Sequence, residues 1–209
     1  MAAAALATTL GCTTTKVLQP ELERPREGNA RVLLLPLDIE LAELTTGGLT
    51  APRADWTAAA RDHLTRALEG HIRGPRTETL RGDPSLLAAE SPHLQIFKLH
   101  EAVGQSILEY QIPQSGGQRL PTLEDRFDWT LGSEVRALAA DTQANYALFV
   151  FVRDSYATGG RKALLAGSFA TCAATLGLFC VPVGTGVQLA FASLVDLESG
   201  DVVWFNRLL

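Results

Sequence analysis

Two heptapeptides constrain the fold of this chain more than anything else in it: Arg31-Val-Leu-Leu-Leu-Pro-Leu37 and Tyr146-Ala-Leu-Phe-Val-Phe-Val152. Both are apolar at consecutive positions, whereas a strand with one face in water alternates apolar and polar residues. Strands that read this way are buried on both faces, as in a sheet with helices on either side. Pro36 has no N–H for a ladder, so it must lie at the end of the first strand.

The sequence between and after these runs fills in the layers. From Pro52 to Glu69, Trp56, Ala60, Leu64, Ala67 and Leu68 recur at helical spacing, and Gly70 closes the helix. Residues 45–51 form a loop and 76–81 a short strand. Ser91-Pro92 opens a second helix with a stripe of Ile96, Leu99, Val103, Ile107 and Tyr110. A third is predicted over Leu123 to Ala144, with Phe127, Leu131, Val135 and Leu138 on one side. Val187–Leu197 and Asp201–Asn206 flank Glu198-Ser199-Gly200, a hairpin turn signal. The predicted fold is an α/β domain of three layers, with a mixed sheet and a C-terminal antiparallel hairpin.

Composition agrees with a single folded unit. Of 209 residues, 46 % are hydrophobic and 20 % charged, enough apolar surface to bury a core and to exclude global disorder. The balance of 18 Lys and Arg against 23 Asp and Glu, a net charge of −5, opposes a nucleic-acid partner. Three cysteines make neither a disulfide scaffold nor a zinc spacing.

Residues 2–11 carry no charge, and Cys12 follows at once. A short apolar run ending in small residues before a cysteine is what lipoprotein export recognises; the leader is removed and the new N-terminal cysteine is acylated. Leu10-Gly11-Cys12 resembles the bacterial lipobox, with Leu at −2 and Thr9 at −3. A basic residue normally precedes such a run, and a start further upstream would supply it. Thr13 after the cysteine points to outer-membrane sorting. Residues 1–11 are thus read as the remnant of a signal peptide, 12–30 as a flexible tether, and 31–209 as a single domain with an apolar insertion over 160–186.

That insertion overlaps a stretch of 33 residues, Ala163 to Val195, without one charge. Three readings stay open: a membrane-spanning helix over 163–181, a buried helix on the sheet, and an excursion that touches a membrane or partner. For the excursion, Gly159-Gly160 and Pro182 to Gly186 would be the hinges, and Leu164, Leu165, Phe169, Leu176, Leu178 and Phe179 the contact residues. Cys172 and Cys180 could pair in an oxidising periplasm. On one continuous helix they would stand ~12 Å apart, so a disulfide requires a turn between them.

Catalytic signatures are missing. His63, His71, His93 and His100 read as residues of solvated helix faces. His93 and His100 are seven apart, too far to share a metal, and no cofactor is expected. Glu124, Asp125 and Asp128 beside Trp129 read as structural. A hydrolase would require His100 or Asp128 to meet a nucleophile such as Ser133.

The stretch Leu189-Ala-Phe-Ala-Ser-Leu-Val-Asp-Leu-Glu-Ser-Gly-Asp-Val-Val-Trp-Phe-Asn206 resembles an ending found in bacterial envelope lipoproteins. That group includes the curli-secretion lipoprotein, the penicillin-binding-protein activator lipoproteins and the amino-terminal domain of TolB. In this hairpin Ser199-Gly200 makes the turn, Asp201 hydrogen-bonds it and Trp204 anchors the last strand. The resemblance implies a non-catalytic binding or assembly module, attached to the membrane by lipid, whose partner is another envelope protein or a second copy. It also implies, as the alternative, a subunit of an oligomeric secretion pore. The Gly and Ala content of Ala163–Gly186 departs from alternating membrane strands.

Overall fold

The computed structural model describes residues 17–18, 29–72, 75–112, 126–164, 168, 186 and 188–208. The strands are β1 (Val17–Leu18), β2 (Ala30–Leu34), β3 (Asp38–Leu44), β4 (Thr50–Pro52), β5 (Thr77–Arg81), β6 (Tyr146–Ala157), β7 (Gln188–Asp196) and β8 (Val202–Arg207). The α-helices are α1 (Ala54–Ile72), α2 (Leu94–Tyr110) and α3 (Arg136–Thr142). One mixed sheet runs in the order β1-β8-β7-β6-β2-β5, with β3 paired to β6 and β4 to β3.

β6 is the spine. One edge holds β7, antiparallel from Tyr146 to Asp154. The other holds two parallel strands in turn, β2 opposite Tyr146–Leu148 and β3 opposite Phe151–Ala157. β2 and β3 are therefore one path with an interruption: the four steps from Leu34 to Asp38 face three on β6, as in a bulge. Pro36 occupies that interruption, where no donor is needed.

The continuous apolar runs feed two cores. Leu33, Leu35, Ala147, Phe149 and Phe151 enter one, and Val32, Leu34, Leu37, Tyr146, Leu148 and Val150 enter the other. α1 covers the second core with Ala60, Leu64, Leu68 and Ile72. α2 and α3 cover the first through Ile96, Phe97, Ile107 and Leu138. Each Leu or Phe so enclosed contributes ~1.5–3 kcal/mol relative to exposure. The three layers, the mixed sheet and the terminal hairpin of β7 and β8 all match the expectation.

Several local expectations are corrected. The 38–44 segment is a strand rather than unassigned chain, because the long β6 offers it a partner. α1 starts after Pro52, which pairs in β4, and runs through Gly70 to Ile72; Ala67 faces solvent. Ser91-Pro92 forms a turn just ahead of α2, with Ser91 Oγ accepting from the His93 N–H at 3.2 Å. The buried line of α2 is Ile96, Phe97, His100, Gly104 and Ile107, while Leu99 remains 39 % exposed. Gly104 sets that rotation, since its bare backbone seats the Phe191 ring.

The third helix is much shorter than predicted. The backbone around Phe127–Leu131 is committed to the terminal hairpin instead: Trp129 O accepts from Val202 N at 2.8 Å, and Leu131 N donates to Gly200 O at 2.8 Å. Leu123, Glu124 and Asp125 lie outside the described residues. In the hairpin turn Gly200 takes φ +88°, as its sequence predicts. The carboxylate that holds the turn is Asp196 rather than Asp201, accepting from the N–H of Glu198 at 2.8 Å and of Ser199 at 3.0 Å. Within the segment read as a tether, Val17–Leu18 form an antiparallel edge strand against Asn206 and Phe205, and Ala30 begins β2.

Candidate functional site

The chain that leads into the uncharged stretch follows the end of β6. Ala157 is level with Leu44 of β3, and Thr158 N donates to Leu44 O at 3.0 Å. Thr158 then caps a helical turn over 159–164, its Oγ1 accepting from Arg161 N at 3.2 Å and its carbonyl from Lys162 N at 2.9 Å. Gly159-Gly160, predicted as a hinge, opens this turn. Gly160 packs on Thr46, and Arg161 NH1 reaches Thr45 O at 3.5 Å, so the turn is seated on the β3–β4 loop.

That loop is rigidly closed. Thr45 N donates to Leu49 O at 2.9 Å, and Leu49 N donates to Thr45 Oγ1 at 3.1 Å. The closure presents Leu49 at the tip with its side chain 75 % exposed. At the same end of the sheet Tyr156 is 51 % exposed and Leu164 49 % exposed. Tyr156 meets the Trp56 ring edge-on at 6.1 Å. Arg53 lies over the other ring of the pair, 4.0 Å from the Trp56 centroid, and forks onto Asp55 at 3.0 and 2.8 Å. The hydrogen bond to Asp55 raises the Arg53 pKa and lowers that of Asp55. Hydrogen bonding to Asp154 raises the Tyr156 phenol above its ordinary value. Among the described residues, three of the four exposed large apolar side chains thus lie at this one end of the sheet; the fourth, Leu99, is on α2.

Of the contact residues expected from sequence, Leu164 is described and exposed. Cys12, Leu165, Phe169, Cys172, Leu176, Leu178, Phe179 and Cys180 lie outside the described residues, and with them the acylation site and the possible disulfide. Gly186 alone represents the second expected hinge. No helix among the described residues is long and apolar enough to cross a membrane. Leu49 and Tyr156 escape a sequence reading because a Gly-Gly-Leu loop and a strand end give no period to follow, whereas Trp56 reads as an apolar position of the first helix.

His100 corrects the expectation of a solvated face. It is 4 % exposed, stacked on Phe149 at 4.6 Å and tilted against Phe191 at 5.3 Å. Its Nε2 is 2.6 Å from Ser193 Oγ, itself 1 % exposed. Desolvation pushes the imidazole pKa down to about 3, so it is neutral in the fold. A neutral ring sealed against a sealed hydroxyl satisfies a buried polar pair and offers no path to a substrate. His100 is therefore paired with Ser193 rather than Ser133, which is exposed. Asp128 faces Arg126 at 3.9 Å in solvent.

Of the other histidines, His71 Nδ1 lies 2.8 Å from Ala67 O one turn back on α1, whereas His93, half-buried just ahead of α2, reaches Asp141 of α3 with Nε2 at 3.1 Å. Among the described residues no group of three His, Cys, Asp or Glu is placed to hold a metal.

A cleft of about 600 Å³ opens at the C-terminal ends of β2 and β5, beside Pro36, Arg61, Arg81 and Gly82. Ligands of open α/β sheets favour such strand ends. Here the cations are already engaged, Arg81 Nε by Glu69 at 2.9 Å and Arg61 NH2 by Ile39 O at 2.9 Å.

No family model matches the chain, and no curated protein matches it. Among solved structures, the PelC dodecamer from Paraburkholderia phytofirmans resembles it over 93 % of this chain and 77 % of that one, with 12 % identity and a TM-score of 0.38. A likeness of that size carries neither fold nor function from one protein to the other.

Proposed function

We propose that this chain is a lipid-anchored protein of the bacterial envelope, acylated at Cys12 and held at the periplasmic face of the outer membrane. Its α/β domain works there as a non-catalytic binding or assembly module for another envelope protein or a second copy. The observation that carries the reading is the end of the sheet where Leu49, Tyr156 and Leu164 are all exposed, near the start of the uncharged stretch. Grouped apolar side chains mark interaction surfaces in a way that scattered ones do not. The uncharged residues ahead of Cys12, and the C-terminal run that resembles envelope lipoproteins, support the same reading.

Growing cells with an alkyne fatty acid tests it. The wild-type chain, expressed from its natural start, is expected to take up the label and Cys12→Ala to lose it. A wild-type protein that stays unlabelled, or a Cys12→Ala variant labelled equally, overturns the proposal.

A further inference from the structure

The sheet reverses its strand order at β2. The chain passes from β2 outward to β5 and then back across β2 to β6, and these strands run parallel. Their connections take opposite faces. After β2 the chain puts Leu37 into the core that α1 covers, whereas after β5 it packs Leu86 and Leu87 against the core that α2 covers. Gly82 N still donates to Leu34 O at 2.8 Å, and beyond that bond the two exits part. A crevice opens where neighbouring strands send their chains to opposite faces, and the cleft of about 600 Å³ lies there. It follows from the topology and depends neither on a lipid anchor nor on the exposed end of β6.

The walls of the cleft combine two chemistries. Leu34, Leu37 and Leu87 give it an apolar floor. Arg61 and Thr65 of α1, and Arg81 at the end of β5, bring polar groups to it, with Asp62 as the single carboxylate among the lining residues. Arg61 is steadied by the bond from NH2 to Ile39 O, and Arg81 by Glu69 through Nε. A guanidinium carries five N–H donors, so these contacts orient the two groups without exhausting them. The Arg81 and Glu69 side chains are 65 % and 30 % exposed, and water-exposed pairs hold their members weakly. An incoming oxyanion can thus take the fork of Arg81 without first breaking a buried bond.

We propose that this cleft binds a small amphiphilic oxyanion, whose carboxylate or phosphate head pairs with Arg61 and Arg81 while its apolar body lies on Leu34, Leu37 and Leu87. Two cations against one carboxylate set the sign of the head. Apolar walls with a few polar groups, at this volume, are the composition of small-ligand clefts.

Amide chemical-shift titration of the isotope-labelled full chain tests the site. The probes are octanoate, octyl phosphate, octanol and octylammonium, each below its micelle concentration. Octanoate or octyl phosphate is expected to move the amides of Thr65, Gly82 and Leu87 saturably, and the tighter of the two identifies the head. Octanol and octylammonium are expected to bind about tenfold more weakly, as loss of a charged hydrogen bond implies. Arg61→Gln and Arg81→Gln, both at exposed side chains, are expected to weaken the anion by a similar factor while amides elsewhere keep their shifts. Should a variant unfold, the comparison of probes on the wild type still decides. No saturable shift at these amides with either anion, equal binding of octanol or octylammonium, or unchanged affinity in either folded variant overturns the proposal. So do shifts confined to Leu49, Tyr156 and Leu164, which place the probe's tail at the exposed end instead. The titration reads this cleft alone, so its result is independent of the fatty-acid experiment on Cys12.

Discussion

His100 carries the pH behaviour of the domain. Its pKa is 6.5 in a solvated chain and about 3 in the fold, because burial disfavours the charged ring. Below about pH 6.5 the unfolded state takes up a proton that the folded state refuses. Stability therefore falls with acidification below about pH 6.5. Urea melts at pH 7 and pH 5 are expected to show a large drop in midpoint for the wild type. A smaller drop is expected for the double variant His100→Phe with Ser193→Ala, which removes both members of the buried pair. Equal drops would rule out His100 as the source. Nothing in the sequence marks the residue as buried: Phe97, His100, Gly104 and Ile107 are spaced as helically as Ile96, Leu99, Val103 and Ile107. What chooses between the two lines is Phe191, nearly 90 residues away in sequence.

At the scale of elements, helix propensity and packing compete at Gly104. Alanine in a helix interior is better than glycine by ~1 kcal/mol. A Cβ there, however, would come within 2.0 Å of Phe191 Cε2. Phe191 is held between Phe151 at 5.0 Å and Phe205 at 5.5 Å, so its ring has little room to retreat. Overpacking of this kind costs ~1–3 kcal/mol, and so close an overlap belongs at the upper end. Gly104→Ala is thus expected to lower the Tm by several degrees in a calorimetric melt despite its better propensity. A raised Tm would show that α2 shifts freely on the sheet. The strands that read clearly in the sequence, Val32 to Leu35 and Tyr146 to Val152, are those buried on both faces. β3 was illegible because Asp38, Glu40 and Glu43 dilute its alternation, and only the length of β6 recruits it. The third helix was over-extended because Phe127, Leu131 and Val135 keep a helical spacing although the first two enter the core from irregular chain.

For the whole molecule, the proposed role turns on the end of the sheet at which Leu49, Tyr156 and Leu164 are exposed. The sequence announces the apolar end only through the uncharged stretch that starts there. The tip residue Leu49 and the Trp56–Tyr156 pair come together by folding of β3, β4 and α1 around the end of β6, which no local pattern records. Cys12 is legible as a candidate because export chemistry reads local sequence.

The intact mass of the protein purified from membranes of its natural host tests the account most directly. The account predicts a polypeptide that begins at Cys12 and carries the added mass of a diacylglyceryl group and an amide-linked acyl chain. A soluble product whose mass equals the unmodified chain, residues 1–11 still attached, would contradict it.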